Sequence, residues 1–326
     1  MAPFDTRTIR FPTHAKSSPV SEAPHLLGAI EAGGTKFVCA VGHGDGGIVA
    51  ESRIETQSPA TTLPAVVRFF AGAEARHGRV RAFGLAAFGP VDLRRDSPQY
   101  GFITSTPKPG WQNTDLLGTL QRALGRPFGF DTDVNAAALA ELRRGAGRGL
   151  SSLVYITIGT GIGGGVIHLG RPVQGLMHPE IGHVRVLRHP ADTAFAGVCP
   201  FHGDCLEGLA NGPAILARTG HPLSEAPPQA PIWDIEADYL GQLCAQLVLM
   251  HSPERILLGG GVMQAAAPIF GRIRERMHHW LAGYVPHVGL QSPDYVTAPG
   301  LGAAAGIQGG LCLALGARFA RSGGDE

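Results

Sequence analysis

The same run of elements starts twice in this chain, and a glycine-rich turn between two apolar runs marks each start. In the first, LLGAIE and FVCAVG flank Gly33-Gly34-Thr35-Lys36. In the second, SSLVYITI (151–158) and VIHLG flank Gly159-Thr160-Gly161-Ile162-Gly163-Gly164. Apolar, β-branched runs on either side of a short glycine turn predict a β-hairpin at both places. The first hairpin is followed by a third strand in GGIVAESRIET, a helix from Thr61 to His77 capped by Thr61 or Thr62, and a buried strand in RAFGLAAFG (81–89). Asp115–Leu124 reads as a helix, PFGFDT as a short strand, and Asp133–Arg143 as an alanine-rich helix ended by Gly145 and Gly147. After the second hairpin come helices near 212–219 and 233–251 and a strand in RILLGGG (255–261). A long helix to about Trp280 and an Ala/Gly-rich helix from about 302 to 318 complete the chain. A chain of 326 residues that restarts in this way is expected to fold as two related α/β lobes with a cleft between them. The expected divisions are a disordered arm over 1–25, a smaller lobe over 26–134 completed by the C-terminal helix, and a larger lobe over 135–301.

Both turns suit phosphate oxygens, because glycine leaves amide N–H groups unshielded and threonine adds a hydroxyl donor. Only three lysines occur in the chain, and one of them, Lys36, lies in the first turn, where a cation favours a polyphosphate. Gly159, Gly161 and Gly164 also satisfy the G-x-G-x-x-G spacing of dinucleotide sites, but that motif requires a helix after the glycines, and VIHLGRPV is strand-like. A third cluster, Gly259-Gly260-Gly261, follows a strand and opens a helix, where bare backbone can lie flat against a nucleobase or ribose. Asp133 stands where the strand PFGFDT gives way to the helix. A carboxylate there can take the proton of a sugar hydroxyl as it attacks phosphorus, or it can be the helix N-cap, and Asp131 is a rival for the first role.

Between Glu180 and Glu207, two histidines and two cysteines fall within one short stretch. His183, Cys199, His202 and Cys205 make a His₂Cys₂ set, the last three spaced C-x₂-H-x₂-C, as tetrahedral zinc requires. Four protein ligands close the site, so the zinc is structural and holds a loop. Glu180 and Glu207 flank the ligands as acids that a fixed loop can aim at a small polar molecule. The other cysteines, Cys39, Cys244 and Cys312, sit in apolar runs, which reads as reduced thiols of a cytoplasmic protein. With 27 basic against 26 acidic residues there is no field for nucleic acid or an anionic membrane, and no uninterrupted apolar run is long enough to span a bilayer.

Taken together these segments resemble the ROK family of sugar kinases, within the actin-like ATPase (ribonuclease H-like) superfamily. The matching pieces are EAGGTKF (31–37), AAFGPVD (86–92), DTDVNAAALAE (131–141), TIGTGIGGG (157–165), HPEIGHVRV (178–186), CPFHGDCLEGLANGPAI (199–215) and LGGGV (258–262). The Phe-His-Gly between the cysteines and TPKPGW (106–111) are most similar to bacterial zinc-containing fructokinases. The resemblance implies phosphoryl transfer from ATP to fructose, with Asp133 as general base and Glu180, His183 and Glu207 on the sugar. It places Gly33, Gly34, Thr35 and Lys36 on one end of the phosphates, Thr160 and Gly161 on the other, and Gly260 against the adenosine. It further implies structural zinc, magnesium with ATP, and a homodimer. Asn113 is a further candidate for the sugar. A glucokinase, mannokinase or amino-sugar kinase is the alternative enzyme. A sugar-responsive repressor is the alternative of another class, and the stretch before Gly33 shows no recognition helix for it.

Overall fold

The computed structural model describes residues 25–264 and 269–319; the arm expected over 1–25 lies, but for His25, outside them. The first unit runs β1 (Leu26–Ala32), β2 (Lys36–Gly42), β3 (Ile48–Glu55), α1 (Pro59–His77), β4 (Val80–Ala87), a small hairpin β5 (Phe102–Ile103) and β6 (Thr114–Asp115), α2 (Leu116–Leu124) and β7 (Phe128–Thr132). α3 (Asp133–Arg144) leads to the second: β8 (Leu153–Ile158), β9 (Ile162–His168), β10 (Arg171–Pro172), α4 (Leu206–Ala210), α5 (Gly212–Thr219), α6 (Ile232–His251), β11 (Ile256–Gly259), α7 (Gly261–Gln264), α8 (Ile269–Leu281) and β12 (Val296–Thr297). α9 (Ala305–Phe319) ends the described chain.

The repeat is real at the level of topology. The first sheet has the order β3-β2-β1-β4-β7 and the second β10-β9-β8-β11-β12, which is the same order counted from each start. In both, the first three strands are antiparallel and the fourth and fifth join parallel. Each sheet carries its own apolar core. The first packs Phe37, Phe70, Phe83, Trp111 and Leu120; the second packs Ile156, Leu206, Trp233, Leu243 and Ile273.

Two helices meet between the sheets. α9 lays Ile307, Leu311 and Ala314 on β1, β2 and β4, and α3 lays Ala137, Ala138 and Leu139 on β8, β9 and β11. Their contact is too close for side chains, since a methyl placed on Gly309 would run into the backbone of Ala136, and α9 sits as tightly on β4, where one on Gly84 would run into the carbonyl of Gly310. Much of the glycine in this chain is therefore a packing requirement, separate from any ligand.

Local boundaries moved where caps compete. α1 starts at Pro59 with Ser58 as N-cap, ahead of the expected Thr61, because proline fits the first turn of a helix. Asp115 lies just outside α2 and caps it, accepting from the Gly118 N–H at 2.8 Å. The helix expected to run unbroken to Trp280 is described as α7 and α8, with 265–268 outside the described residues.

Candidate active site

Parallel register brings the chemistry to one edge. Ala32, Ala87 and Thr132 stand level at the carboxyl ends of β1, β4 and β7. The Gly33 turn, the Phe88–Val91 turn and Asp133 therefore leave the first sheet side by side. The carboxyl ends of parallel strands are where α/β proteins build their sites. In the second sheet Gly259 of β11 pairs level with Thr157 of β8, so the Gly159 turn and Gly260 also emerge together. Gly260 sits at φ 89° against the backbone of Ile158, a place and a conformation that exclude a side chain.

The two readings of Asp133 are separated by its neighbour. Thr132 is the N-cap of α3, its hydroxyl accepting from the Asn135 N–H at 3.1 Å, which leaves Asp133 as the first helical residue. The Asp133 carboxylate is half-buried and accepts from the Val134 N–H at 2.9 Å. Burial pushes its pKa up to about 7, the Val134 hydrogen bond opposes this, and the Glu31 and Glu180 carboxylates add to the rise. Asp131, the rival, is committed to structure. It accepts from the Thr132 N–H at 2.8 Å, Asn135 Nδ2 at 2.7 Å and Gln174 Nε2 at 3.2 Å. Burial raises its pKa to about 6, and these hydrogen bonds oppose the rise. Asn135 gives its Nδ2 to this contact, and its Oδ1 is buried without a partner.

The second glycine run divides into two. Gly159–Gly161 forms the turn, but Ile162–Gly165 is strand, and Gly163 and Gly165 admit Val134 of α3 against β9. That close approach sets the start of α3, and with it Asp133, against the second sheet. The turn itself is pinned from α4 and α5. Glu207 Oε2 accepts from the Ile162 N–H at 2.8 Å, Asn211 Nδ2 donates to the Thr160 carbonyl at 2.9 Å, and Gly212 N–H donates to the Gly159 carbonyl at 2.8 Å. Asn211 also caps α5 through Ala214 N–H at 2.8 Å. Asn211 was missed in the sequence, although Asn before Gly-Pro at a helix start is a cap signal. In the first turn Gly33 N–H donates to the Lys36 carbonyl at 3.0 Å, and Thr56 fastens the turn through Gly33 O at 2.7 Å. Thr35 and Lys36 are exposed beyond it. Glu31, two residues before this turn, is raised in pKa by burial, with Lys36 opposing.

His183, Cys199, His202 and Cys205 converge, their ligand atoms all within 4.8 Å of one another. His183 Nδ1 lies 3.5 Å from Cys205 Sγ and 3.8 Å from Cys199 Sγ, and His202 Nδ1 lies 3.7 Å from Cys199 Sγ. A tetrahedral zinc with Zn–N of about 2.0–2.1 Å and Zn–S of about 2.3 Å requires N···S edges of about 3.5 Å, so the four side chains fit that ion. The fold of the stretch serves this arrangement. Cys199 and Gly203 exchange backbone hydrogen bonds around a tight turn with Gly203 at φ 65°, and Cys205 opens α4. Arg185 and Arg188 both pair with Asp204 beside it.

The ligands are mechanically joined to the two acids. Glu180 precedes the short turn Ile181–His183, whose His183 N–H donates to the Glu180 carbonyl at 3.0 Å. Glu207 lies in the first turn of α4, two residues after Cys205. Burial and then the charge of Glu207 push Glu180 up to about 7. His178 joins this group and was not singled out in the sequence. Asn113 is exposed on the β5–β6 loop at φ 55°, its N–H donating to Thr104 O at 3.1 Å, and Thr104 N–H in turn donates to Pro90 O, in the turn after β4, at 2.8 Å.

Two sheets of repeated strand order, each with a glycine turn at its strand ends, and a carboxylate at the start of the helix that leads from one to the other define the phosphoryl-transferring class of the actin-like ATPase fold. The chain belongs to the ROK family, whose model matches residues 27–317. A fructokinase from Pediococcus pentosaceus is 44% identical over 289 residues, covering 89% of this chain and 97% of the relative. A fructokinase from Zymomonas mobilis is 43% identical over 295 residues, covering 90% and 97%. Among solved structures, a ROK family glucokinase from Streptomyces griseus in complex with glucose and AMPPNP is 28% identical, with a TM-score of 0.71 over 89% of this chain and 99% of that one.

Proposed function

We propose that the protein transfers the terminal phosphoryl group of ATP to fructose, giving fructose 6-phosphate. One observation carries the mechanism. Asp133 is relieved of capping by Thr132, stands at the edge shared by both sheets, and has its pKa near neutrality. A base acts best when its pKa lies near the working pH, so Asp133 accepts the proton of the sugar's terminal hydroxyl as that oxygen attacks phosphorus. Glu180, His183 and Glu207 hold the other sugar hydroxyls, and Asn113 is assigned the same task from its loop. Gly33, Gly34, Thr35 and Lys36 grip the phosphates from one lobe and Thr160 and Gly161 from the other, with Gly260 against the adenosine.

Magnesium brought in with ATP offsets charge on the phosphate oxygens. A zinc on His183, Cys199, His202 and Cys205 supplies a rigid cross-link and, with four protein ligands, no reactive water. The identity with proteins named fructokinase supports fructose as acceptor. The same reading takes the protein as a cytoplasmic homodimer without nucleic-acid or membrane partners. The net charge of +1 supports the part of it that concerns nucleic acid, and the five free cysteines support the location; among the described residues no helix is long and apolar enough to cross a membrane.

The test is a coupled ADP-release assay with ATP, magnesium and fructose, mannose, glucose or N-acetylmannosamine. Fructose should give the highest kcat/KM. A preference for glucose, mannose or an amino sugar would move the protein to a neighbouring activity of the family, and no ADP with any of them would remove the kinase reading.

A further inference from the structure

His178 is nearly fully buried, 5% exposed, and both ring nitrogens are engaged by different parts of the fold. On one side the Val91 N–H donates to Nε2 at 3.3 Å. On the other, Nδ1 lies 3.4 Å from Glu180 Oε1. A nitrogen that accepts carries no proton, so the neutral ring bears its proton on Nδ1, the nitrogen that lies beside the Glu180 carboxylate and the Pro179 backbone. Burial holds the imidazole below its ordinary pKa, in keeping with the neutral ring.

The two partners belong to the two halves of the site. Val91 ends the turn that leaves β4, and Ala87 at the end of β4 stands level with Thr132, the residue before Asp133. Gly89 in that turn packs on the same ring, since a methyl there would lie 3.5 Å from His178 Cε1. Glu180 belongs to the metal-bearing stretch of the second unit. One imidazole thus spans from the sheet edge that carries the base to an acid assigned to the sugar. We infer that His178 is a positioning residue for the acceptor sugar: it aims the Glu180 carboxylate and fixes its distance from the edge that carries Asp133. The inference rests on Glu180 being a sugar-binding acid.

The test is a double-mutant cycle of His178→Leu with Glu180→Gln, reading KM for fructose, KM for ATP and kcat, with folding checked by circular dichroism and zinc by elemental analysis. His178→Leu keeps the volume and removes the Val91 hydrogen bond and the polar contact with Glu180. Its KM for fructose should rise about tenfold, the scale of one lost hydrogen bond to a charged group, while KM for ATP holds. His178→Gln, whose amide offers one acceptor and one donor, should recover most of the loss. The double variant should be no worse than Glu180→Gln alone, because His178 then has nothing to aim. If the Leu variant does not fold, His178→Asn, polar but too short to reach both partners, takes its place in the cycle. Fully multiplicative effects, or an unchanged KM in the His178 variants beside an impaired Glu180→Gln, would overturn the inference alone. An unchanged KM in Glu180→Gln would overturn the sugar-acid assignment and the inference with it.

Discussion

Replacing Cys205 with serine should remove the zinc and, through it, most of the affinity for fructose, while sparing ATP. A zinc on the proposed ligands would cross-link His183 to Cys205, which lie three residues from Glu180 and two from Glu207 respectively. In the chain-entropy picture, a cross-link closing a loop of about 20 residues restricts the opened chain by about 3 kcal/mol at 25 °C. When the clip is lost, sugar binding must order the loop again, and 3 kcal/mol is a factor of about 100. Part of the loop remains tied by the Cys199–Gly203 turn and by Leu206 N–H to Val184 O at 2.9 Å, so a rise in KM for fructose of about 10- to 100-fold is expected. KM for ATP should change less, because the Gly33 turn and Gly260 leave strand ends away from the ligands and the Gly159 turn meets their stretch through Glu207. Elemental analysis of the purified variant, steady-state kinetics in both substrates and thermal melting together measure this. A variant that keeps a full equivalent of zinc refutes the ligand set. One that loses zinc and keeps its KM for fructose refutes the clip.

Two further substitutions test the scaffold. Gly309→Val drives a side chain into the backbone of Ala136 where α9 crosses α3, and should cost about 3 kcal/mol in denaturant unfolding; a loss under about 1 kcal/mol would show that the crossing can open freely. Asn211→Ala removes the cap of α5 and the bond to the Thr160 carbonyl, which should cost about 1 kcal/mol of stability. It should also raise KM for ATP several-fold with a smaller effect on fructose. The reverse order of effects would mean that the Gly159 turn does not hold the nucleotide.

The duplicated strand order was legible because it is written in local signals: apolar alternation around short glycine turns, repeated after Ser151. The clustering of His183, Cys199, His202 and Cys205 was legible because the last three are close in the chain and only His183 arrives from outside. What hid was whatever depends on contacts across the fold. Whether Asp133 or Thr132 caps α3 is decided by one backbone angle, and either residue type serves. The glycines after Ile162 look like loop in sequence but are strand, since their reason for being glycine is the approach of Val134. His178 carries no local signal, because its partners Val91 and Glu180 meet only when the two units are assembled.

The central claim is that Asp133 removes the proton from the acceptor hydroxyl. Only its ionised form can do so, and with a pKa of about 7 the rate should fall as pH drops below neutrality, with Glu180 titrating in the same range. The most direct measurement is kcat of Asp133→Asn at pH 8, with calorimetry of fructose binding to the same protein. Loss of about 10²- to 10⁴-fold in kcat with fructose affinity held within a few-fold is the predicted result. Turnover within about tenfold of the parent enzyme would contradict it.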